Sequence, residues 1–195
     1  VWKDVPGVLS ADPKYYDDAV KLEQISYRDA IELTYYGATV IHPKTIKPLE
    51  NRQIPLRVAS FLAPGDKGTL IGDFPTTKPL VPCFIFKPNQ ILFSIAAKDF
   101  SFIAEDSLST IFGLFVKHHV KVNLMQNSAI SFSVCMDNDP LKIPELSKEL
   151  SEYYTVRYNE NLRLITIRHY FPSTVEQLTK GKVILLEQRS RQTAQ

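Results

Sequence analysis

The chain has 195 residues, 44% hydrophobic and 23% charged, which suits one large soluble domain or two small ones. Its 23 basic and 21 acidic side chains leave a formal charge of +2, so electrostatics gives no case for nucleic-acid or membrane partners. The basic stretch from Arg189 to Arg191 reads as a solvated chain end. Cys83 and Cys135 each sit in an apolar run, which points to buried thiols in a reducing compartment rather than a disulfide framework. No stretch reaches the roughly 18 apolar residues of a membrane span and no signal peptide is evident, so a cytoplasmic location is expected. The chain starts at Val1 in the middle of a strand-turn pattern and reads as a piece of something longer.

Taken in order, Val5-Pro6-Gly7-Val8 is a tight-turn signal, with Pro fixing one φ and Gly permitting the next. Ser26 followed by Asp29 predicts a capped helix start, and Gly37 suits its end. A second helix is predicted from Pro43, where a missing N–H costs nothing, with Pro48 limiting it. Pro55 to Phe61 and Gly68 to Ile71 read as strands around a Pro64-Gly65-Asp66 turn. Pro75, Pro79, Pro82 and Pro88 then break the pattern, which predicts a linker over 74–88.

Beyond the linker, Gln90 to Ala97 reads as a strand. Leu108, Ile111, Phe112 and Phe115 form one apolar helical face. Val120 to Met125 and Ile130 to Met136 alternate as strands. Pro140 to Ser151 reads as a helix with Ile143, Leu146 and Leu150 inward, and Tyr154 to Tyr158 as a closing strand. The order is βαββαβ, the ferredoxin-like arrangement. The pattern starts again with a strand over Leu162 to His169, a short helix over Ser173 to Thr179, a strand over Val183 to Gln188, and the beginning of another at Gln192.

Three stretches resemble the aspartate kinases of the amino-acid kinase family. Trp2-Lys3-Asp4-Val5-Pro6-Gly7-Val8-Leu9-Ser10-Ala11-Asp12-Pro13-Lys14 is similar to that family's T-D-V-P-G-x-Y-T-x-D-P-R nucleotide loop. Ile25-Ser26-Tyr27 through Gly37-Ala38-Thr39-Val40-Ile41-His42-Pro43 is similar to its E-A-x-E-x-x-x-x-G-A-K-V-L-H-P segment. Ile54-Pro55-Leu56 through Gly68-Thr69-Leu70-Ile71 resembles its closing strand pair. The stretches Leu108 to Leu114 and Val122 to Ser128 resemble the effector-binding part of the family's first ACT domain. The resemblance implies an α/β fold: the C-terminal part of an amino-acid kinase α/β sandwich over 1–73, the linker over 74–88, a first ferredoxin-like ACT domain over 89–158, and a second, short or truncated one over 159–195.

In that family the enzyme transfers the γ-phosphoryl of Mg-ATP to the side-chain carboxylate of L-aspartate, chemistry that rests on positioning and charge neutralisation. The resemblance places Lys3, Asp4, Leu9, Lys14, Thr39 and Val40 at ATP-contacting positions. Leu9 stands for the family's tyrosine, Lys14 for its arginine and Thr39 for its lysine; on residue chemistry alone, Asp4 and Asp12 equally suit bracing of turns. The K-F-G-G-T lysine that holds phosphate in the family does not occur among the 195 residues, so no catalytic residue is assigned and the chain alone is expected to be inactive. The Pro64 to Thr69 loop lacks the spacing and the following helix of a P-loop.

For the effector, the start of the helix at Ser107 and Leu108 is expected to offer backbone amides to a carboxylate. Asn123, Leu124, Asn127, Ser128, Ala129 and Ile130 supply amides, a hydroxyl and backbone opposite it. By resemblance the ligand is lysine first and threonine second, held at an interface between the ACT domains of a homodimer. Asn123 and Ala129 stand where the family often carries acids, and Asn123 and Asn127 also suit turn and strand-edge bonding. Histidines 42, 118, 119 and 169 read as helix-end and strand-end residues with no metal site, and no Ser–His–Asp or Cys–His constellation is spaced for catalysis. The competing reading is a non-catalytic, amino-acid-binding ACT regulatory module.

Overall fold

A computed structural model describes residues 1–75, 80–99 and 101–195. The chain divides into two units, Val1–Phe86 with Ile165–Gln195, and Lys87–Leu164.

In the first unit, β1 (Trp2–Lys3), β2 (Gln24–Ser26), β3 (Leu56–Ser60) and β4 (Thr69–Gly72) form a sheet in the order β1-β3-β4-β2. The pairs β1–β3 and β2–β4 are parallel, and β3–β4 is antiparallel. Helix α1 (Tyr27–Tyr36) begins as its sequence directs: the Ser26 hydroxyl accepts the Asp29 N–H at 3.0 Å, and Gly37 ends the helix at φ 121°, a value costly for any residue with a Cβ. Helix α2 (Pro43–Glu50) is capped by His42 Nδ1, which accepts the Lys44 N–H at 3.1 Å. Ala30 and Leu33 of α1 and Ile46 of α2 pack with Ile25, Val58 and Ile71 into one buried cluster.

The loop before β4 is a turn, without a P-loop's helix. Asp66 Oδ1 accepts the Gly68 N–H at 2.9 Å and the Lys21 ammonium at 2.5 Å. Gly68 has φ +65°, and an added Cβ would collide with the backbone carbonyl of Val58. Gly68→Ala is therefore expected to cost at least about 1–2 kcal/mol in urea unfolding, the left-handed penalty before the collision is counted.

The second unit follows its hydrophobic periods. It contains most of β5 (Cys83–Ala97), then α3 (Glu105–Lys117), β6 (Val122–Asn127), β7 (Ser131–Asp137), α4 (Ile143–Tyr153) and most of β8 (Tyr154–Arg168). Hydrogen bonding orders the strands β6-β7-β5-β8; the last residues of β8, Ile167 and Arg168, belong to the first unit and pair there with β9 (Thr193–Ala194). This is the βαββαβ ferredoxin-like order. Alternate residues Ile91, Phe93 and Ile95 of β5 and Phe132, Val134 and Met136 of β7 meet Ile111 and Phe115 of α3 and Ile143, Leu146 and Leu150 of α4. Each such fully buried side chain contributes roughly 1.5–3 kcal/mol of transfer free energy.

Several elements differ from the sequence reading. Strand β5 starts at Cys83 rather than Gln90; Pro88 has no N–H for the ladder, and the left-handed Asn89 (φ 53°) lets the strand resume beyond it. Residues 76–79 of the predicted linker lie outside the described residues. The strands predicted over Tyr154 to Tyr158 and Leu162 to His169 are one strand, β8, which absorbs Asn161 at φ 57°. No strand forms over 183–188, where Val183 is 88% exposed. Apolar residues there meet no partner strand among the described residues, and β propensity without pairing is not enough. The short helix is α5 (Pro172–Thr179), whose Val175 packs with Phe84 and Ile167.

Candidate functional site

The second unit gathers a polar cradle on one side of its sheet. The bulge between Val122 and Leu124 in the β6–β7 pairing leaves Asn123 facing the middle of β5 and the end of β7. Asn123 Nδ2 donates to Gln90 Oε1 at 2.8 Å and to Asp137 Oδ1 at 2.9 Å. Gln90, only 1% exposed, donates from Nε2 to the same Asp137 oxygen at 2.7 Å and to the Pro88 carbonyl at 3.1 Å. The Lys87 ammonium donates to Asn123 Oδ1 at 2.8 Å. Burial lowers the Lys87 pKa below its ordinary value, and the Asp137 carboxylate opposes that shift. One carboxamide thus meets the ammonium directly, and it is joined in turn to a carboxylate and a second carboxamide.

The other predicted effector residues lie elsewhere in the unit. Asn127 is four residues along β6 from Asn123, about 13 Å at strand rise. Ser128 closes the β6–β7 hairpin, its N–H donating to the Ser131 carbonyl at 2.8 Å. The Ala129 carbonyl accepts the Ile103 N–H at 3.0 Å, which brings the hairpin to the residues just before α3; Ile130 is exposed beside it. Helix α3 starts at Glu105, so the Leu108 N–H already donates to the Ala104 carbonyl at 3.0 Å and has nothing left for a ligand. The Ser107 amide is in the first turn, where N–H groups have no intrahelical acceptor. Leu124 is buried and contributes backbone only. The structure thus divides the predicted set into a hairpin group at one end of β6 and Asn123 at the other.

In the first unit, Lys3 lies in β1 and Asp4 is exposed in the turn after it. Leu9 bridges to Lys21, and Leu22 N–H donates to the Val8 carbonyl at 2.9 Å. The exposed Lys14 follows a turn in which its own N–H donates to Asp12 Oδ1 at 2.9 Å, so Asp12 does brace that turn. Thr39 is exposed and Val40 half-buried against the first unit's core, both between α1 and α2.

Sequence reasoning missed a buried charge cluster in the same unit. Asp29 Oδ1 accepts Arg168 Nη2 at 3.1 Å and Arg168 Nε at 3.3 Å, and lies 3.0 Å from His169 Nε2. Arg168 also donates from Nη1 to Thr193 Oγ1 at 3.2 Å. Burial alone would raise the Asp29 pKa, but hydrogen bonds from His169, Ser26 and Arg168 outweigh it and hold the carboxyl at about 2. The only sequence signal was the capping position of Asp29. Elsewhere burial pushes the free thiols up, Cys83 to about 12 and Cys135 to about 11. Among the described residues no His, Cys, Asp and Glu cluster is placed to hold a metal ion, and no helix is long and apolar enough to cross a membrane.

Comparison with known proteins gives this geometry its setting. The Amino acid kinase family profile matches residues 1–60. The lysine-sensitive aspartokinase 3 of Escherichia coli is 29% identical over 174 residues, 86% of this chain and 38% of the relative. The chloroplastic aspartokinase 3 of Arabidopsis thaliana is 31% identical over 196 residues, 97% of this chain and 31% of the relative. The structure of Escherichia coli aspartokinase III with lysine and aspartate superposes with a TM-score of 0.81 at 25% identity, covering 99% of this chain and 46% of that one. The same enzyme with aspartate and ADP gives 0.82 at 25%, with the same coverage. The chain is homologous to the aspartokinases. It spans roughly a third of the length of the curated aspartokinases it matches (38% and 31% of the two above). The aspartokinase resemblance therefore extends across both units, and it includes the region of the Asp29 cluster as well as the cradle around Asn123.

Proposed function

We propose that this chain is the C-terminal part of an aspartate kinase, which transfers the γ-phosphoryl of ATP to the side-chain carboxylate of L-aspartate to give 4-phospho-L-aspartate. The observation that carries the reading is the likeness over 99% of the chain to an aspartokinase solved with aspartate and ADP. Residues 1–73 are assigned to the end of the kinase domain, 74–88 to the linker, 89–158 to a first ACT domain and 159–195 to a second. Lys3, Asp4, Leu9, Lys14, Thr39 and Val40 line the ATP side, with Mg2+ accompanying the nucleotide. Lys14 meets phosphate as a point charge with less geometric control than an arginine. ACT domains of two copies associate, and the enzyme works in the cytosol.

The second unit is assigned to feedback control. An amino-acid effector, lysine first and threonine second, places its carboxylate at the Ser107 amide and the 127–130 hairpin and directs its side chain toward Asn123. Support comes from the lysine complex of the Escherichia coli relative. Binding alters catalysis only insofar as lysine prefers one arrangement of the enzyme over another.

The test is ADP release by the complete gene product with ATP, Mg2+ and L-aspartate, with and without lysine. Aspartate-dependent turnover that lysine suppresses is expected. The 195 residues alone should give none, since K-F-G-G-T is not among them. Turnover with another acceptor but not with aspartate would overturn the reading.

A further inference from the structure

We propose that Lys87 is an internal competitor for the effector, its ammonium occupying the position that a ligand's side-chain ammonium must take. The inference rests on the reading that the second unit binds an amino acid, and it deepens that reading by naming what sets affinity and selectivity.

An ammonium offers three donors and no acceptor, and a half-buried one needs oxygens around it. The cradle supplies one directly, Asn123 Oδ1 at 2.8 Å from Lys87 Nζ, and the Asp137 carboxylate is joined to Asn123 through a 2.9 Å hydrogen bond. Every other strong donor in the cluster is already committed. Asn123 Nδ2 and Gln90 Nε2 both point at Asp137 Oδ1, so the carboxamide oxygen of Asn123 is turned toward the cation. Lys87 is thus the exchangeable member, on a flexible stem, whereas Gln90 and Asp137 are fixed by the β5–β7 pairing that places them opposite each other.

A free lysine whose carboxylate is held on the hairpin side of Asn123 extends the same chemical group toward the cradle, an ammonium on a four-carbon stem. It binds only in molecules whose Lys87 has swung out, so its apparent affinity falls by the fraction of time the cradle is open. A ligand without a side-chain ammonium does not compete with Lys87. The chain's own lysine thereby sets the threshold at which lysine is sensed, and weakens lysine selectively relative to neutral amino acids.

The experiment is isothermal titration of the 195-residue chain and of Lys87→Met with lysine and with norleucine, which keeps the stem and lacks the ammonium. Lys87→Met is expected to tighten lysine by about tenfold or more and to change norleucine by less than about twofold, the size of one charge-assisted hydrogen bond regained. Lys87→Arg, which keeps a cation in the cradle, should stay near the parent affinity and controls for a change in fold. Lysine binding equally well to parent and Lys87→Met would overturn the competitor and leave the effector reading standing. Absence of binding by folded parent and folded Lys87→Met alike would overturn both.

Discussion

Replacing Asp29 with alanine is expected to destabilise the first unit by about 3–5 kcal/mol at neutral pH, the cost of leaving a buried cation without its partner. The Arg168 side chain is 6% exposed and that of His169 8%; without Asp29, Arg168 keeps only the Thr193 hydroxyl of the partners described above. The same substitution removes a carboxylate whose pKa is about 2 in the fold against an ordinary 3.8. A depressed carboxyl stabilises the fold fully above its unfolded pKa and loses that contribution as pH falls through the folded value. The part due to ionisation is therefore complete above about pH 4 and gone below about pH 2, an amount of about 2 kcal/mol. Urea unfolding followed by Trp2, the single tryptophan and a residue of the first unit, measures both effects. The gap between parent and Asp29→Ala should be widest near neutrality and narrow by that amount in acid. A gap that is independent of pH would show that ionisation of Asp29 contributes nothing to the difference.

What the sequence made legible is local or periodic. The Ser26–Asp29 cap, the Gly37 terminus and the His42-Pro43 start all involve partners within a few residues, and each stands where the sequence placed it. The βαββαβ run was readable because the inward residues of β5 and β7 repeat every second position, while those of α4 repeat at three and four. Strand ends were not readable in the same way. Asn161 looks like a turn residue, yet a single left-handed position is absorbed within β8. Val183 to Gln188 has the composition of a strand, yet only its last residue pairs, Gln188 exchanging two backbone hydrogen bonds of 2.9 Å with Gln195.

The site was half legible for the same reason. Asn123 was picked out by resemblance, but its partners Lys87, Gln90 and Asp137 lie 36, 33 and 14 residues away. Only the sheet register brings them together, and a charged residue at a strand end carries no mark of what it will face. The Asp29 cluster is more remote still, with Arg168 139 residues from its partner. In both places a polar residue with an adequate local explanation has a second, long-range role.

The second large effect is expected at Phe93, at the centre of the other unit. It is wholly buried in β5, and its ring stacks on Tyr158 of β8 with centroids 5.4 Å apart at 26°. Truncation to alanine removes the ring and leaves a cavity between the sheet and its helices, a change that typically costs about 3–5 kcal/mol. Cys135 on β7 provides the readout. Leu92 and Phe93 of β5 pair with Cys135 and Val134, and the buried thiol reacts only when this sheet opens. Its high pKa, about 11, keeps the native thiol inert. Iodoacetamide labelling of Cys135 in Phe93→Ala should therefore accelerate by about two to three orders of magnitude, as the opening free energy falls. Cys83 belongs to the first unit and is the internal control, since its labelling should change little if the two units open independently. Equal acceleration at both cysteines would mean instead that the 195 residues unfold as one cooperative body, in which case disturbance of the second unit reaches the first directly through stability.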